Sequence, residues 1–225
     1  MRISALIRED IRLQLRHGFY ALYTILTIFY IFLLFAVPAA WNHTVAAFAI
    51  FFDPATMGLF FMGAMMLFER NQRIHQALAV SPVSPNEYIC GKLASFGLIS
   101  LLVAAVLALF SHSLLLPVLA GTLLASFMFT LLGIIAASHI KSLNQFLLLS
   151  VPLESICYIP LLAYLLGYMQ NSLSLFPTSV CMDLILKKPI SAFGIILALA
   201  VLLLLFVAAR RSLEAMWKKE EGARL

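Results

Sequence analysis

The sequence predicts an all-α membrane protein of six transmembrane helices, with an interfacial helix ahead of the first span and a cytoplasmic helix between the second and third. Three observations predict it. Leu93 to Ile140 runs forty-eight residues without one Asp, Glu, Lys or Arg; a spanning helix needs about 20 apolar residues, so this run holds two helices and a tight hairpin. The chain is 63% hydrophobic and only 11% charged, where soluble domains carry roughly 25% charged residues. Once the spans are counted, 13 of the 15 basic residues fall on one side of the bilayer.

Residues 1–17 begin the chain with Ile3, Ile7, Ile11 and Leu15 four apart and Arg2, Arg8, Arg12 and Arg16 between them. One apolar stripe on a basic helix is suited to lying in the inner interface. The chain then turns at Gly18 into span one, Phe19 to about Val37. This start is not read as a cleavable secretory signal, because its basic region and its apolar run are both too long. Span two is interrupted by Asp53-Pro54. Asp is favoured at an N-cap and Pro at the first helical position. The helix is therefore expected to start at Pro54, with Ala46–Phe52 packed at the outer interface or continuing it with a kink.

The polar stretch 69–91 follows. Asn71–Val80 can form a short helix with Ile74, Ala77 and Leu78 on one face, stopped by Ser81-Pro82. Ser84-Pro85-Asn86-Glu87 matches a capping box, so a new helix starts at Pro85 and runs into span three, Leu93–Phe110. A break at Phe110–Ser113 precedes span four, about Leu116–Ala137. Span five, Leu143 to about Tyr168, contains Pro152, Glu154 and Pro160. The outer loop 170–189 has room for one or two short helices, and span six is Ile190–Ala209. A tail, 210–225, carries Glu214 four residues before Lys218, a favourable helical pair. The whole, 1–225, is read as one transmembrane domain.

Excess Lys and Arg marks the cytoplasmic face, which places both termini there. Only Lys187 and Lys188 dissent. The formal charge of +5 is thus a topology signal and an attraction for anionic lipid headgroups, not a sign of nucleic-acid binding.

Catalytic chemistry is sought and not found. Gly91-Lys92 is followed by Leu93 and preceded at position 86 by Asn, so no phosphate-binding loop can be built. GxSxG and HExxH are missing, and Cys90, Cys157 and Cys181 form no CxxC or Cys/His cluster. The chain is read as no enzyme, with no catalytic residues, metal or cofactor.

Inside the bilayer, Glu154 is read as the one acid deep in a span, with Ser150, Cys157 and Tyr158 at helical spacing. A carboxyl at that depth marks a site or pathway by default. Met57, Phe61, Met65 and Phe68 form a stripe on span two that could face a pathway, although core packing is the commoner use of such residues. Thr122, Ser126, Thr130, Gly133 and Ala137 make a small-residue stripe on span four, read as helix packing.

The run Phe52-Asp53-Pro54, Gly58 to Gly63, Phe68-Glu69-Arg70, Gln76 to Ser84, Glu87-Tyr88 and Gly91-Lys92-Leu93 resembles the permeases of ABC-2-type transporters. It is most similar to the small fluoroquinolone-export permeases. The wider family has Gly-Thr where this chain has Arg73-Ile74-His75. The resemblance implies a coupling helix docked on a separate ATPase, short outer helices as a gate, and two permease subunits, identical or different, enclosing the pathway. On this chain the ATPase-coupling region would include Glu69, Arg70, Arg73, Ile74, Leu78, Ser84 and Glu87. The function expected is the membrane half of an ATP-driven exporter of a hydrophobic or amphipathic compound such as a drug. Two alternatives stay open: an ion- or proton-coupled secondary transporter using Glu154, and a membrane assembly subunit that transports nothing.

Overall fold

Every regular element is helical in the computed structural model, which describes residues 2–72, 74, 83–113, 115–140 and 142–222. In chain order these are α1 (Arg2–Arg16), α2 (Phe19–Ala36), α3 (Ala39–Ile50), a π-helical turn (Phe51–Ala55) and α4 (Met57–Asn71). They continue with α5 (Pro85–Phe110), α6 (Leu115–His139), α7 (Leu143–Leu165), α8 (Gln170–Leu173), α9 (Pro177–Leu186) and α10 (Ala192–Gly222). Among the described residues six helical stretches are long and apolar enough to cross a membrane, α3 through α4 counting as one. This is a multi-pass membrane protein.

The six expected spans are present in order, with a correction to the second. Span two does not begin at Pro54: helix runs from Ala39 to Asn71, 33 residues, or about 50 Å at 1.5 Å per residue. Pro54 has no N–H to give its i−4 carbonyl, and the helix absorbs the defect by widening into the π turn. Asp53 caps nothing; it lies inside the helix, 3% exposed.

The N-terminal helix also packs on the bundle, through residues that the apolar stripe does not include. Gly18, at φ 77°, makes the corner between α1 and α2. The face of α1 that meets the bundle carries Asp10 and Gln14, both buried, flanked by Leu6 and Leu13. Ile3 and Leu15 of the predicted stripe remain 42% and 56% exposed. A Cβ on Gly91 of α5 would sit 3.3 Å from the Cβ of Leu6, so α1 lies close on α5.

The hub of the bundle is α6, which packs against α4, α5, α9 and α10. Small residues let it do so. A Cβ on Gly133 would meet the Leu59 carbonyl oxygen at 2.6 Å, and one on Gly121 would meet that of Cys181 at 2.7 Å. Gly121 explains how α9, the principal helix of the segment between α7 and α10, is sunk into the bundle: Val180, Cys181 and Met182 are fully buried. By contrast α2, α7 and α10 keep large apolar surfaces outward, including Phe35, Leu148 and Leu203, as lipid-facing helices do.

Candidate functional site

Two polar centres interrupt this apolar bundle. The first lies where α1 crosses the ends of spans two and three. Tyr88, Lys92 and Ser95 are spaced along one face of α5 and look onto Glu69, in the last turn of α4, and Asp10 of α1. The Lys92 Nζ donates to Asp10 Oδ1 at 2.6 Å and also to Glu69 Oε1. The Tyr88 hydroxyl donates to Glu69 Oε2 at 2.7 Å, and Ser95 Oγ donates to Asp10 Oδ2 at 3.1 Å. The ammonium also stands 5.1 Å from the centre of the Tyr88 ring. On its other side that ring meets Trp217 of α10 edge-on, 5.9 Å between centroids.

Burial makes this clasp consequential, since Lys92 is 2% exposed, Glu69 4% and Asp10 9%. Two carboxylates share one ammonium away from water. Burial is the largest influence on Asp10 and holds its carboxyl above the ordinary 3.8, with Glu69 adding to the effect and Lys92 opposing it.

These contacts redistribute the residues expected to meet an ATPase. Glu69 points into the clasp, not outward. Arg70 Nη1 donates to the Ile140 carbonyl at 2.9 Å, closing the end of α6. Ser84 and Glu87 form a reciprocal capping box: Glu87 N–H donates to Ser84 Oγ at 3.3 Å and Ser84 N–H to Glu87 Oε2 at 2.8 Å. Ile74 lines a cavity of about 310 Å³ beneath α1, with Leu6, Leu13 and Lys92. Arg73 and Leu78, with most of the proposed Asn71–Val80 helix, lie outside the described residues.

The second centre is in the middle of the bundle. Glu154 is half-buried on α7. Ser150, expected on its polar face, is buried and turns its hydroxyl back to the Leu147 carbonyl at 2.9 Å. The Cys157 carbonyl accepts from Thr178 Oγ1 of α9 at 3.0 Å. Tyr158 reaches span two, its ring 5.0 Å from that of Phe52. The stripe on α4 divides as well. Met65 is buried in the core, Met57 is half-buried, and Phe61 packs edge-on against Phe19 and Tyr23 of α2. On α6, Thr122, Ser126 and Thr130 are fully buried, and a Cβ on Gly58 of α4 would meet Thr130 Oγ1 at 2.6 Å.

Glu154 is not the only acid at depth. Asp53 lies about 21 Å along the helix from Ala39 and about 27 Å from Asn71, with Tyr30 of α2 as an electrostatic neighbour. Its Oδ2 is buried with no hydrogen-bond partner. Beside it the Pro54 carbonyl accepts from Ser100 Oγ at 2.6 Å, and Ser100 meets Ser126 at 3.0 Å. The sequence held a signal for this centre: Tyr20, Tyr23, Thr27 and Tyr30 recur at helical spacing on span one. Aspartate followed by proline reads so readily as a helix start that the signal is easily passed over.

The six membrane spans are in keeping with what comparison of the chain with known proteins finds. The sequence pattern of the fluoroquinolones export permease protein family matches residues 1–215. The chain belongs to that family. Two relatives, fluoroquinolones export permease proteins from two strains of Mycobacterium tuberculosis, are each 28% identical over 181 residues, 79% of this chain and 76% of theirs. Within an export permease of this family, the two centres define separate questions: what moves the helices at the clasp, and what the mid-bundle carboxylate meets.

Proposed function

We propose that this chain is the membrane permease subunit of an ATP-driven ABC exporter that moves an amphipathic drug, a fluoroquinolone among them, outward across the cell membrane. A separate ATPase supplies the hydrolysis, and a second permease subunit completes the pathway. Both termini and the segment 69–91 face the cytoplasm, in keeping with the distribution of basic residues. The observation that carries the reading is the buried clasp of Asp10, Lys92 and Glu69. It ties the α1 helix to the two helices that flank the coupling segment, so a push there moves α1, span two and span three together. Arg70, bonded to the Ile140 carbonyl, extends the same connection to span four. Ile74 and Leu78 offer the ATPase an apolar grip, Arg73 a charged one, and the Ser84–Glu87 box keeps the far end of the segment stiff.

The test is co-purification from native membranes with a mild detergent, together with ciprofloxacin efflux from cells. A nucleotide-binding protein should co-purify, and the double substitution Ile74→Asp and Leu78→Asp should release it while the permease still inserts. Efflux should stop when ATP is depleted and survive collapse of the proton gradient. Efflux that follows the proton gradient and needs no ATPase would overturn this reading in favour of a secondary transporter working through Glu154.

A further inference from the structure

The carboxylate inside span two has the environment of a binding group, not of a structural one. Structural acids at helix ends are satisfied by orphan N–H groups, but Asp53 sits mid-helix in a π turn, where intrahelical bonds occupy the backbone. A fully buried acid with one oxygen unpartnered is costly in an apolar medium, and π turns inside α-helices concentrate at functional sites. Among the described residues no lysine or arginine forms an ion pair with Asp53.

Aromatic side chains are its neighbours on two other spans. Tyr30 and Tyr23 approach from span one, and Tyr158 approaches beside Phe52 from span five. Tyr23, only 4% exposed, has Asp53 as an electrostatic neighbour. It also lines a cavity of about 250 Å³ between spans one and three. Tyr20 lines the same cavity, and its hydroxyl is also buried without a hydrogen-bond partner. The cavity's remaining walls include Ile99, Leu102 and Val103. Apolar walls, aromatic faces and one unpaired anion are the elements that hold a lipophilic cation, through charge and through the ring quadrupole.

We propose that Asp53, with Tyr20, Tyr23 and Tyr30 along span one, forms an intramembrane site for the cationic nitrogen or phosphorus centre of an amphipathic ligand. Its apolar body occupies the groove between spans one and three, and the Tyr23 ring yields to let the cationic centre reach the carboxylate. This deepens the export reading and rests on it for the physiological cargo, but the site itself can be examined without transport.

The experiment is equilibrium binding to the purified full-length chain with four probes: tetraphenylphosphonium, its neutral relative triphenylphosphine oxide, ciprofloxacin, and ciprofloxacin acetylated at its basic amine. Asp53→Asn keeps size and polarity while removing the charge, and Tyr30→Phe removes one hydroxyl. Asp53→Asn should weaken tetraphenylphosphonium and ciprofloxacin at least tenfold and leave the two uncharged-amine or neutral probes within about twofold. Tyr30→Phe should act in the same direction and less strongly. Equal affinities in wild type and Asp53→Asn, or equal losses for charged and neutral probes, overturn the site. Wild-type chain that binds tetraphenylphosphonium with the predicted dependence on Asp53 but ignores ciprofloxacin keeps the site and sinks the drug assignment. Wild-type chain that binds no cationic probe sinks the site. If Asp53→Asn does not purify intact, tetraphenylphosphonium protection of a Tyr23→Cys variant against maleimide decides the same point: no protection overturns the proposal.

Discussion

Lys92 of α5 donates to Asp10 of the first helix across 82 positions of sequence, at 2.6 Å, with 2% of the lysine side chain and 12% of the aspartate side chain open to solvent. Removing the two partners should therefore have unequal consequences. Lys92→Met leaves Asp10 and Glu69 buried together without a counter-charge, a defect that costs about 3–5 kcal/mol. Asp10→Asn keeps an acceptor for Lys92 and leaves Lys92 and Glu69 as a balanced pair; its effect should not exceed about 1–2 kcal/mol. Thermal inactivation of the purified chain in detergent measures both. A Lys92→Met variant as stable as Asp10→Asn would mean that the ammonium does not hold the clasp.

The same clasp gives a pH dependence with a definite sign. Burial lifts the Asp10 carboxyl above 3.8, so the docked helix holds its proton more tightly than a solvated one would. Docking is then strongest below the unfolded value, weakens as pH climbs through the interval up to the raised value, and is level beyond it. Lys92, Glu69 and Ser95 face this carboxyl. As pH rises from about 4 through the interval up to the raised value, the thermal midpoint of wild type, taken relative to Asp10→Asn, should fall. A relative midpoint that rises instead would show that attraction to Lys92 outweighs burial.

What the sequence made legible follows from range. Span number is set by local apolar length, and the start of α5 by a four-residue capping box, so both could be read directly. The partner of Lys92 could not, since Asp10 is far off in sequence and sits in a helix whose periodicity is dominated by isoleucine. That periodicity marks an apolar stripe, of which Ile3 and Leu15 stay exposed, and it carries no signal for the contact that α1 makes through Asp10 and Gln14. Asp53 was visible as a residue but not as a site: Asp-Pro fits a helix start, and only the neighbouring helices force the chain through it as a π turn. Glu154 drew notice as an isolated charge, yet Tyr158, one turn on, is the residue that touches span two.

Gly63 of α4 supplies a packing test. A Cβ there would lie 1.9 Å from Cζ of Phe146, whose side chain is fully buried at the start of α7. The ring must move to admit even a methyl group, and overpacking of this kind costs about 1–3 kcal/mol. Gly63→Ala should destabilise accordingly, and Phe146→Leu in the same chain should recover part of the loss, giving a coupling energy in a double-mutant cycle. Additive effects would mean that span five does not seat against span two at this point.

The last prediction concerns which end of the bundle faces the cytoplasm, and the structure decides which thiols can report it. Cys90 is exposed on the first turns of α5, close to the clasp, whereas Cys181 is fully buried in α9. A membrane-impermeant maleimide attacks an accessible thiolate and not a buried thiol, so Cys181 should stay silent from either side and cannot serve as the outer marker. Asn171, exposed on α8, can. Cys90 should react only after cells are permeabilised, and an Asn171→Cys chain carrying Cys90→Ser should react in intact cells. The ground for this orientation is the gathering of 13 of 15 basic residues at the end that holds Cys90. Reaction of Cys90 in intact cells, with Asn171→Cys protected until permeabilisation, would invert the molecule and put the segment 69–91 out of reach of any cytoplasmic ATPase.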